Sequence, residues 1–580
     1  MNLIEALEYK KRRFPEDASV LKVFLGCGFT PVHLETFLAA HIGAILSKTR
    51  VEIKTGLFGD LLGNVERVEP ANFDAIAVVV EWADLDQRLG VRNLGGWQVD
   101  RLPDVLETVS RSLARLGQTL QRLSSSLLVS LCLPTLPLPP LFFTPNQESS
   151  HYELQLREHM ASFAVSLAGF PRLRVLNAQY LDECSPPGAR FDFKSEMIYG
   201  FPYKTAHASA IAEGLAALIQ TATRKKGLIT DLDDTLWSGI LGEVGVEGIS
   251  WHLDQKTQIH GIYQQFLASL SSAGVLIAIA SKNEGALVKQ ALEREDLQIS
   301  KDSIFPVEAH WSRKSESIGR ILQVWNIAAD SVVFIDDSPM EVAEVKSAFP
   351  EIECIVFPKT DYVGFWDLLK NLRNLFGKTV LSEEDSLRLQ SIRDASGFQE
   401  SLSAEGPSAD RFLQEAEASV LFTFGKSSTD TRSFELINKT NQFNLNGVRL
   451  NESAWVAFLE APKSFAVGVS YEDKFGKLGK IGVLLGKVCG RKLFVESWVM
   501  SCRAFSRRIE HQCLKYLFEK FDAEEIRFAY RATSRNGPLQ EFLALILDSV
   551  AEEDCRLSRE SFYQKAPALF HRVEEVELRG

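Results

Sequence analysis

Three polar side chains in the middle of the chain have the types and spacing needed for phosphoryl transfer. The segment reads LITDLDDTLW, so that Asp231, Asp233 and Thr235 follow a short apolar strand. Side chains at the carboxyl end of a parallel strand point into the ligand crevice. A carboxylate there can attack a phosphoryl group, and a second carboxylate two residues on can protonate the leaving group and then activate water. Because two acids this close repel each other, a divalent cation is expected between the first acid and the phosphate.

Three further polar elements follow in chain order and complete the predicted site. The strand VLIAIA ends in Ser281, whose hydroxyl is suited to hydrogen-bond a phosphate oxygen. Lys314 follows in WSRKSES with a charge suited to neutralise phosphate and nucleophile. The strand VVFI ends in Asp336 and Asp337, and carboxylates of this kind suit Mg²⁺. The four elements together predict a Mg²⁺-dependent phosphoryl-transfer enzyme.

The segments that carry these residues predict an α/β fold. Residues 226–376 alternate apolar runs with helical stretches, which is typical of a parallel sheet buried on both faces. Residues 1–225 show the same alternation and predict a separate α/β domain. A polar, helical linker is predicted over 377–404, and an α+β domain with one prominent helix at 506–521 is predicted over 405–580. The predicted strands of the two α/β domains are 21–26, 75–80, 127–133, 172–177, 226–230, 275–281, 331–337 and 354–358.

Composition excludes several classes of protein. The 580 residues include 64 Lys and Arg against 76 Asp and Glu, a net charge of −12, so no nucleic-acid partner is expected. Eight cysteines without a CxxC motif argue against a disulfide scaffold or a zinc ribbon and favour a reducing cytoplasm. The most apolar stretch, 126–143, contains four prolines that would break a spanning helix, so no membrane partner is expected.

The motif around the first acids resembles the FkbH-like branch, also called subfamily IIIC, of the haloacid dehalogenase (HAD) superfamily. The segments that carry the resemblance are DLDDTLWSGILGEVGVEGI at 231–249, SKN at 281–283, WSRKSESI at 311–318, FIDDSPMEVAEV at 334–345 and ELINKTNQFNLN at 435–446. The resemblance implies that Asp231 is the nucleophile and a metal ligand. It implies that Asp233 is the general acid/base and binds the metal through its backbone carbonyl, and that Asp336 and Asp337 complete the Mg²⁺ site. The residues expected to hold the phosphoryl group or the rest of the substrate are Ser281, Lys314, Thr235, Lys282 and Asn283.

The spacing of the acidic and polar elements leaves the predicted site open. The gaps from Asp231 to Ser281 and from Ser281 to Lys314 hold core helices and a flap, residues 237–251, with no room for an inserted cap domain. An open site admits a large partner such as a carrier-protein arm, or is covered by a neighbouring domain. Proteins of the FkbH-like branch are associated with loading a glyceryl unit from 1,3-bisphosphoglycerate onto an acyl carrier protein. They often carry a cysteine where this chain has Ala280, which puts an enzyme-bound acyl relay at that position in doubt.

The flanking domains resemble two other folds. The segments 471–486 and 496–510 are similar to an N-acetyltransferase-like (GNAT) domain, which implies that Arg503 and Arg507 bind phosphate and that Cys502 is a possible acyl relay. For Cys502 a small buried residue is the favoured interpretation, whereas the arginines fit a solvated helix face equally well.

The front block resembles a degenerate SGNH-hydrolase fold. Cys27 occupies the place of its nucleophile, and His207 is a possible partner of Cys27, which makes Cys27 the second possible acyl relay. Lys204 stands where an acid is expected, so a non-catalytic docking or scaffold role is favoured for this block.

Three functions remain open at the level of sequence. The first is a Mg²⁺-dependent phosphatase/acyltransferase that handles a phosphorylated acyl donor and a carrier-protein phosphopantetheine thiol. The second is a plain phosphatase on a small biosynthetic intermediate, with the flanking domains as specificity modules. The third is a non-enzymatic assembly protein, which the intact set of four acids argues against.

Overall fold

The computed structural model divides the chain into two units, Met1–Thr223 and Arg224–Gly580. It describes all residues except 16–17, 95–96, 141–143, 221–223, 379–380, 382–384, 386–387, 391, 394–408, 427–429, 441–442, 475, 502–506, 534–535, 548, 552–553 and 578–580. The finer division of the second unit into 226–376, 377–404 and 405–580 stays a prediction.

The first unit contains a parallel sheet with the strand order β2-β1-β3-β4-β5. Its strands are β1 (Val20–Gly26), β2 (Arg50–Thr55), β3 (Ala75–Val79), β4 (Leu128–Cys132) and β5 (Leu173–Val175). Its α-helices are Leu3–Lys10, Val32–Ile45, Leu61–Glu66, Trp82–Leu85, Leu102–Ser124, His151–Leu167, Ala178–Cys184, Phe193–Tyr199 and Thr205–Ile219. Four of the strands lie on predicted apolar runs. The fifth, β2, was not predicted because its sequence RVEIKT alternates charged with apolar residues, as suits the partly exposed edge strand that it is.

The second unit begins with another parallel sheet, in the order β10-β9-β6-β7-β8. Its strands are β6 (Gly227–Thr230), β7 (Leu276–Ser281), β8 (Ile304–Ala309), β9 (Val332–Asp336) and β10 (Glu353–Val356). The chain runs from β6 to β7 and β8, then returns to β9 on the other side of β6. Ligands bind at such a switch point, where loops at the carboxyl ends of two neighbouring strands diverge. The unpredicted strand β8 contains Pro306, which an edge strand tolerates.

Alternate residues of these strands are buried against helices on opposite faces of the sheet. Leu228 and Ile277 pack with helices Gln258–Ser272 and Tyr362–Phe376 on one face. Ile229 and Ala278 pack with Lys314–Trp325 and Pro339–Ala348 on the other. Full burial of each large aliphatic side chain contributes about 1.5–3 kcal/mol. The two-sided burial holds the carboxyl ends of β6, β7 and β9 rigidly beside one another.

The remaining described strands form one mixed sheet in the order β17-β18-β16-β15-β14-β13-β11-β19, with β12 paired to β15. They are β11 (Ser419–Phe424), β12 (Phe443–Asn444), β13 (Ser464–Asp473), β14 (Gly476–Cys489), β15 (Lys492–Met500), β16 (Glu525–Phe528), β17 (Ser549–Ala551), β18 (Asp554–Ser558) and β19 (Arg572–Glu577). The remaining α-helices of this unit are Leu241–Val244, Gly285–Leu292, Ala409–Glu415, Thr431–Lys439, Glu452–Glu460, Ile509–Lys520, Gly537–Ile546 and Arg559–Lys565. The helix predicted at 506–521 corresponds to Ile509–Lys520. Within the described ranges, no helix has the length and apolarity required to cross a bilayer.

Candidate active site

Three carboxylates meet at the switch point of the second sheet. Asp231 directly follows β6, and Asp336 and Asp337 lie at the end of β9. The Asp231 backbone N–H donates to the carbonyl of Ile335 at 2.9 Å, which fixes the register of the two strand ends. One oxygen of each carboxylate lies within 4.8 Å of the others. Asp231 and Asp336 are buried and Asp337 is half-buried.

Lys314 lies between two of these carboxylates. Its Nζ is 2.6 Å from Asp231 Oδ1 and 2.6 Å from Asp336 Oδ2, and its side chain is only 3% exposed. Burial raises the pKa of Asp231, and the Lys314 charge opposes that rise. Burial lowers the pKa of Lys314, but the two carboxylates outweigh burial and leave that pKa raised. Lys314 is therefore a protonated ammonium, because its positive charge is stabilised from two sides.

The donor set fits a Mg²⁺ ion. Mg²⁺ binds oxygen ligands at about 2.0–2.1 Å, so two ligands of one ion lie at most about 4.2 Å apart. The three carboxylate oxygens lie within 4.8 Å of each other, so a contraction of under about 1 Å would bring them to this range. Three acids beside one buried ammonium also leave an excess of negative charge, which a divalent cation would offset.

Asp233 is held apart from this cluster by its own hydrogen bonds. Its Oδ1 accepts from Trp237 Nε1 at 3.0 Å and from the backbone N–H of Leu241 at 3.1 Å, both in the flap. Its Oδ2 accepts from Asn283 Nδ2 at 3.0 Å, and that nitrogen lies 3.1 Å from Ser281 Oγ. The structure thus brings Asp233, Ser281 and Asn283 together at the ends of β6 and β7. The two neighbouring aspartates have different surroundings, which suits different roles.

Two further residues that the resemblance assigned to the substrate have specific environments. Lys282 Nζ lies 2.7 Å from Glu341 Oε1, and its side chain is 38% exposed. Thr235 is fully buried, and its carbonyl accepts from His260 Nδ1 at 2.9 Å. The Oγ1 of Thr235 has no hydrogen-bond partner among the described residues, and its contact with substrate stays a prediction.

One residue of the site was missed by sequence reasoning. Lys359 Nζ lies 2.8 Å from Asp337 Oδ2 and 2.9 Å from Asp234 Oδ2. The sequence held a signal for it, because Lys359 follows the apolar run at 354–358 and therefore had to emerge at the same edge as Asp336 and Asp337.

Comparison with known proteins bears on the fold. No protein-family model matches the chain, and no curated protein matches it. Among solved structures, the N-terminal part of the protein BF1531 from Bacteroides fragilis, which contains a phosphatase domain and was crystallised with Mg, aligns with 20% identity and a TM-score of 0.50. The alignment covers 66% of this chain and 100% of that one. The two proteins share a fold.

The alignment agrees with the predicted α/β fold class with parallel sheets. A second structure, an uncharacterized protein from Corynebacterium glutamicum, aligns over 26% of this chain and 98% of its own with 17% identity and a TM-score of 0.19. That score is too low to indicate a common fold. The SGNH-like and GNAT-like layouts of the flanking domains therefore stay predictions.

Three residues of the C-terminal part were predicted to act on substrate: Arg503 and Arg507 as phosphate ligands and Cys502 as an acyl relay. Cys502 and Arg503 lie outside the described residues. Arg507 is 4% exposed, and its Nε lies 3.5 Å from a carboxylate oxygen of Asp473 while its guanidinium lies over the ring of Tyr471. Arg507 is therefore buried, which rules out the solvated helix face as its position, and its binding of phosphate stays a prediction.

The predicted Cys27–His207 pair does not form in the described structure. Cys27 is 4% exposed, its thiol donates to the carbonyl of Phe29 at 3.4 Å, and burial raises the pKa of that thiol. The two ring nitrogens of His207 lie 2.9 Å from Thr135 Oγ1 and 2.9 Å from Ser185 Oγ. Burial lowers the pKa of His207 to about 3. A buried thiol without a base within hydrogen-bonding distance is a poor nucleophile.

Proposed function

We propose that the chain is a Mg²⁺-dependent phosphatase of the HAD superfamily that resembles the FkbH-like branch. The observation that carries the proposal is the buried Asp231 carboxylate at the switch point, beside Lys314 and the two acids that end β9. A structural scaffold does not need four carboxylates and a buried lysine at the edge of a sheet. The fold shared with a phosphatase domain crystallised with Mg supports the same reaction and the same metal.

The reaction follows from the positions of the side chains. An oxygen of Asp231 attacks the phosphorus, the bond from phosphorus to the leaving oxygen breaks, and Asp233 gives that oxygen a proton. Asp233 then takes a proton from water, whose oxygen attacks the aspartyl phosphate and frees phosphate. Lys314, which contacts Asp231, and Ser281, which contacts Asn283, are the residues that we propose to hold the phosphoryl oxygens during both steps. Mg²⁺ held by Asp231, Asp336 and Asp337 would offset the charge between the nucleophile and the phosphoryl group.

Removal of divalent metal is expected to stop phosphate release. Three carboxylates that lack their cation repel one another and the incoming phosphate, so EDTA should reduce the rate to background and Mg²⁺ should restore it. The measurement is release of inorganic phosphate from acetyl phosphate before chelation, after chelation and after readdition of Mg²⁺. Full activity in metal-free buffer would contradict the proposal.

We extend the proposal to a 1,3-bisphosphoglycerate-like acyl phosphate as substrate and to an acyl carrier protein in the cytoplasm as the acceptor of its glyceryl unit. An open site supports a large acceptor. Between Asp231 and Lys314 the described chain holds the flap, helices Gln258–Ser272 and Gly285–Leu292, and strands β7 and β8, with no inserted cap domain.

The positions of the cysteines favour direct attack by the carrier thiol on the acyl carbon. Ala280 is fully buried within β7, so even a cysteine there would be enclosed. Cys27 is buried and its thiol is engaged, as described above. In direct transfer the thiol loses its proton to water, its sulfur bonds to the acyl carbon, and the carbon–oxygen bond to the 1-phosphate breaks with release of inorganic phosphate. The phosphorus that Asp231 attacks is then that of the 3-phosphate ester, so the acyl phosphate stays intact for the transfer and no enzyme cysteine is needed.

Intact-mass analysis of a carrier protein tests acyl loading. After incubation with the acyl phosphate, the phosphopantetheinyl carrier should gain the mass of one glyceryl unit. We expect both Cys27→Ala and Cys502→Ala to retain phosphate release and carrier acylation. Loss of acylation alone in Cys502→Ala would instead identify a relay. A carrier that is never acylated, even by the wild-type protein, would leave the plain phosphatase as the function.

A further inference from the structure

Lys359 connects two loops of the candidate active site. Its ammonium contacts one oxygen of Asp337, at the end of β9, and one oxygen of Asp234, in the loop after β6, at 2.8 and 2.9 Å. The side chain is 43% exposed, against 31% for Asp234 and 18% for Asp337. Lys359 therefore contacts the carboxylates from the solvent side, whereas Lys314 contacts them from within the protein.

The backbone that carries Lys359 is firmly held. The N–H of Phe357 donates to the carbonyl of Asp336 at 2.8 Å, which joins the end of β10 to the end of β9. Phe357 is 1% exposed and stacks on His260 at 5.4 Å between ring centroids. Helix Tyr362–Phe376 begins three residues after Lys359 and is capped by Asp361. The ammonium thus projects from a rigid support, which is what a residue that orients others requires.

The second partner of Lys359 is attached to the flap. Asp234 has a positive φ of 50° and its Oδ1 accepts from the N–H of Gly239 at 2.9 Å. Gly239 itself has a φ of +103°, which only glycine adopts readily, and it opens the loop that Ser238 and Ser250 close by paired backbone hydrogen bonds. A continuous series of contacts therefore runs from Asp337, a proposed Mg²⁺ ligand, through Lys359 and Asp234 to Gly239 at the base of the flap.

We propose that Lys359 is a positioning residue that holds Asp337 in the orientation needed to bind Mg²⁺ and ties the base of the flap to that carboxylate. The proposal rests on the proposed function, because the ion in question is the one assigned to Asp231, Asp336 and Asp337. Residues that orient metal ligands commonly change metal affinity by about 10–100-fold when they are removed.

If Lys359 acted only through its charge, its replacement would change the affinity for Mg²⁺ in the opposite direction. Removing a positive charge beside three carboxylates makes the site more negative and would strengthen Mg²⁺ binding. Removing an orienting group frees the Asp337 and Asp234 side chains and would weaken Mg²⁺ binding. The direction of the change in affinity therefore separates the two roles.

The test is calorimetric titration of Mg²⁺ into the full-length wild-type protein, Lys359→Met and Lys359→Arg. We expect the Kd for Mg²⁺ to rise by about 10-fold or more in Lys359→Met and by less in Lys359→Arg, which keeps the charge and hydrogen-bond donors. Lys370→Met is the matched control, because Lys370 is 42% exposed and pairs with Asp367 at 2.7 Å on helix Tyr362–Phe376. Its Kd for Mg²⁺ should equal that of the wild-type protein.

Hydrogen exchange provides a second readout that needs no metal. In Lys359→Met the amides of the flap, residues 237–251, should exchange faster than in the wild-type protein and in Lys370→Met. Unchanged or tighter Mg²⁺ binding, or unchanged exchange of the flap, in folded Lys359→Met would overturn the positioning role alone. A wild-type protein that binds no Mg²⁺ would overturn the proposed function together with this inference.

Discussion

Asp231→Asn is expected to lower phosphate release by on the order of 10⁴-fold or more while leaving the protein folded. The amide has no carboxylate oxygen to attack phosphorus, so no aspartyl phosphate can form. The change is nearly isosteric, and Lys314 keeps its contact with Asp336 at 2.6 Å. It also removes one of three neighbouring negative charges, so the thermal midpoint of unfolding in metal-free buffer should be equal to or above that of the wild-type protein.

The measurement pairs initial rates of phosphate release from acetyl phosphate with thermal unfolding. Asp254→Asn serves as the control, because Asp254 is exposed and lies outside the site, and it should keep the wild-type rate. A folded Asp231→Asn protein that releases phosphate at the wild-type rate would remove Asp231 as the nucleophile.

Lys314→Met is expected to have the largest effect on stability. The ammonium is 3% exposed and neutralises two buried carboxylates, both 2.6 Å away. Removing one partner of a buried ion pair leaves uncompensated charge and commonly costs about 3–5 kcal/mol. The free energy of unfolding in metal-free buffer should therefore fall by about that amount, and added Mg²⁺ should recover part of it by binding the same carboxylates.

Urea denaturation with and without Mg²⁺ measures this loss. Lys289→Met, an exposed lysine on helix Gly285–Leu292, should change the free energy of unfolding by no more than about 0.5 kcal/mol. Adding Asp231→Asn to Lys314→Met should restore part of the lost stability, since it removes one of the two uncompensated charges. Equal urea midpoints for Lys314→Met and the wild-type protein would show that the buried ion pair is not formed in solution.

Local sequence patterns were sufficient to predict the parallel α/β sheets and the order of the polar residues in the candidate site. An apolar run without polar alternation is typical of a strand buried on both faces, and β6, β7 and β9 are such runs. The residue after each run must lie at the carboxyl edge of the sheet. Asp231, Ser281 and Asp336 could therefore be assigned to one edge from the sequence.

Of the four edge strands in the two parallel sheets, β5 and β10 lie on predicted apolar runs, whereas β2 and β8 were not predicted. β2 alternates charged and apolar residues, and β8 contains a proline and a glutamate. Neither has the continuous apolar run of a central strand, since each lies at the margin of its sheet.

Which distant residues touch was decided only by the tertiary structure. The adjacency of β9 and β6 places Asp336 beside Asp231, and the turn after β10 brings Lys359 to Asp337. The same kind of long-range packing buries Arg507 against Asp473 and pairs His207 with Thr135 and Ser185. Ion pairs and hydrogen bonds of this kind depend on strand order and register, which are set by the packing of the whole sheet and are not encoded in any short segment.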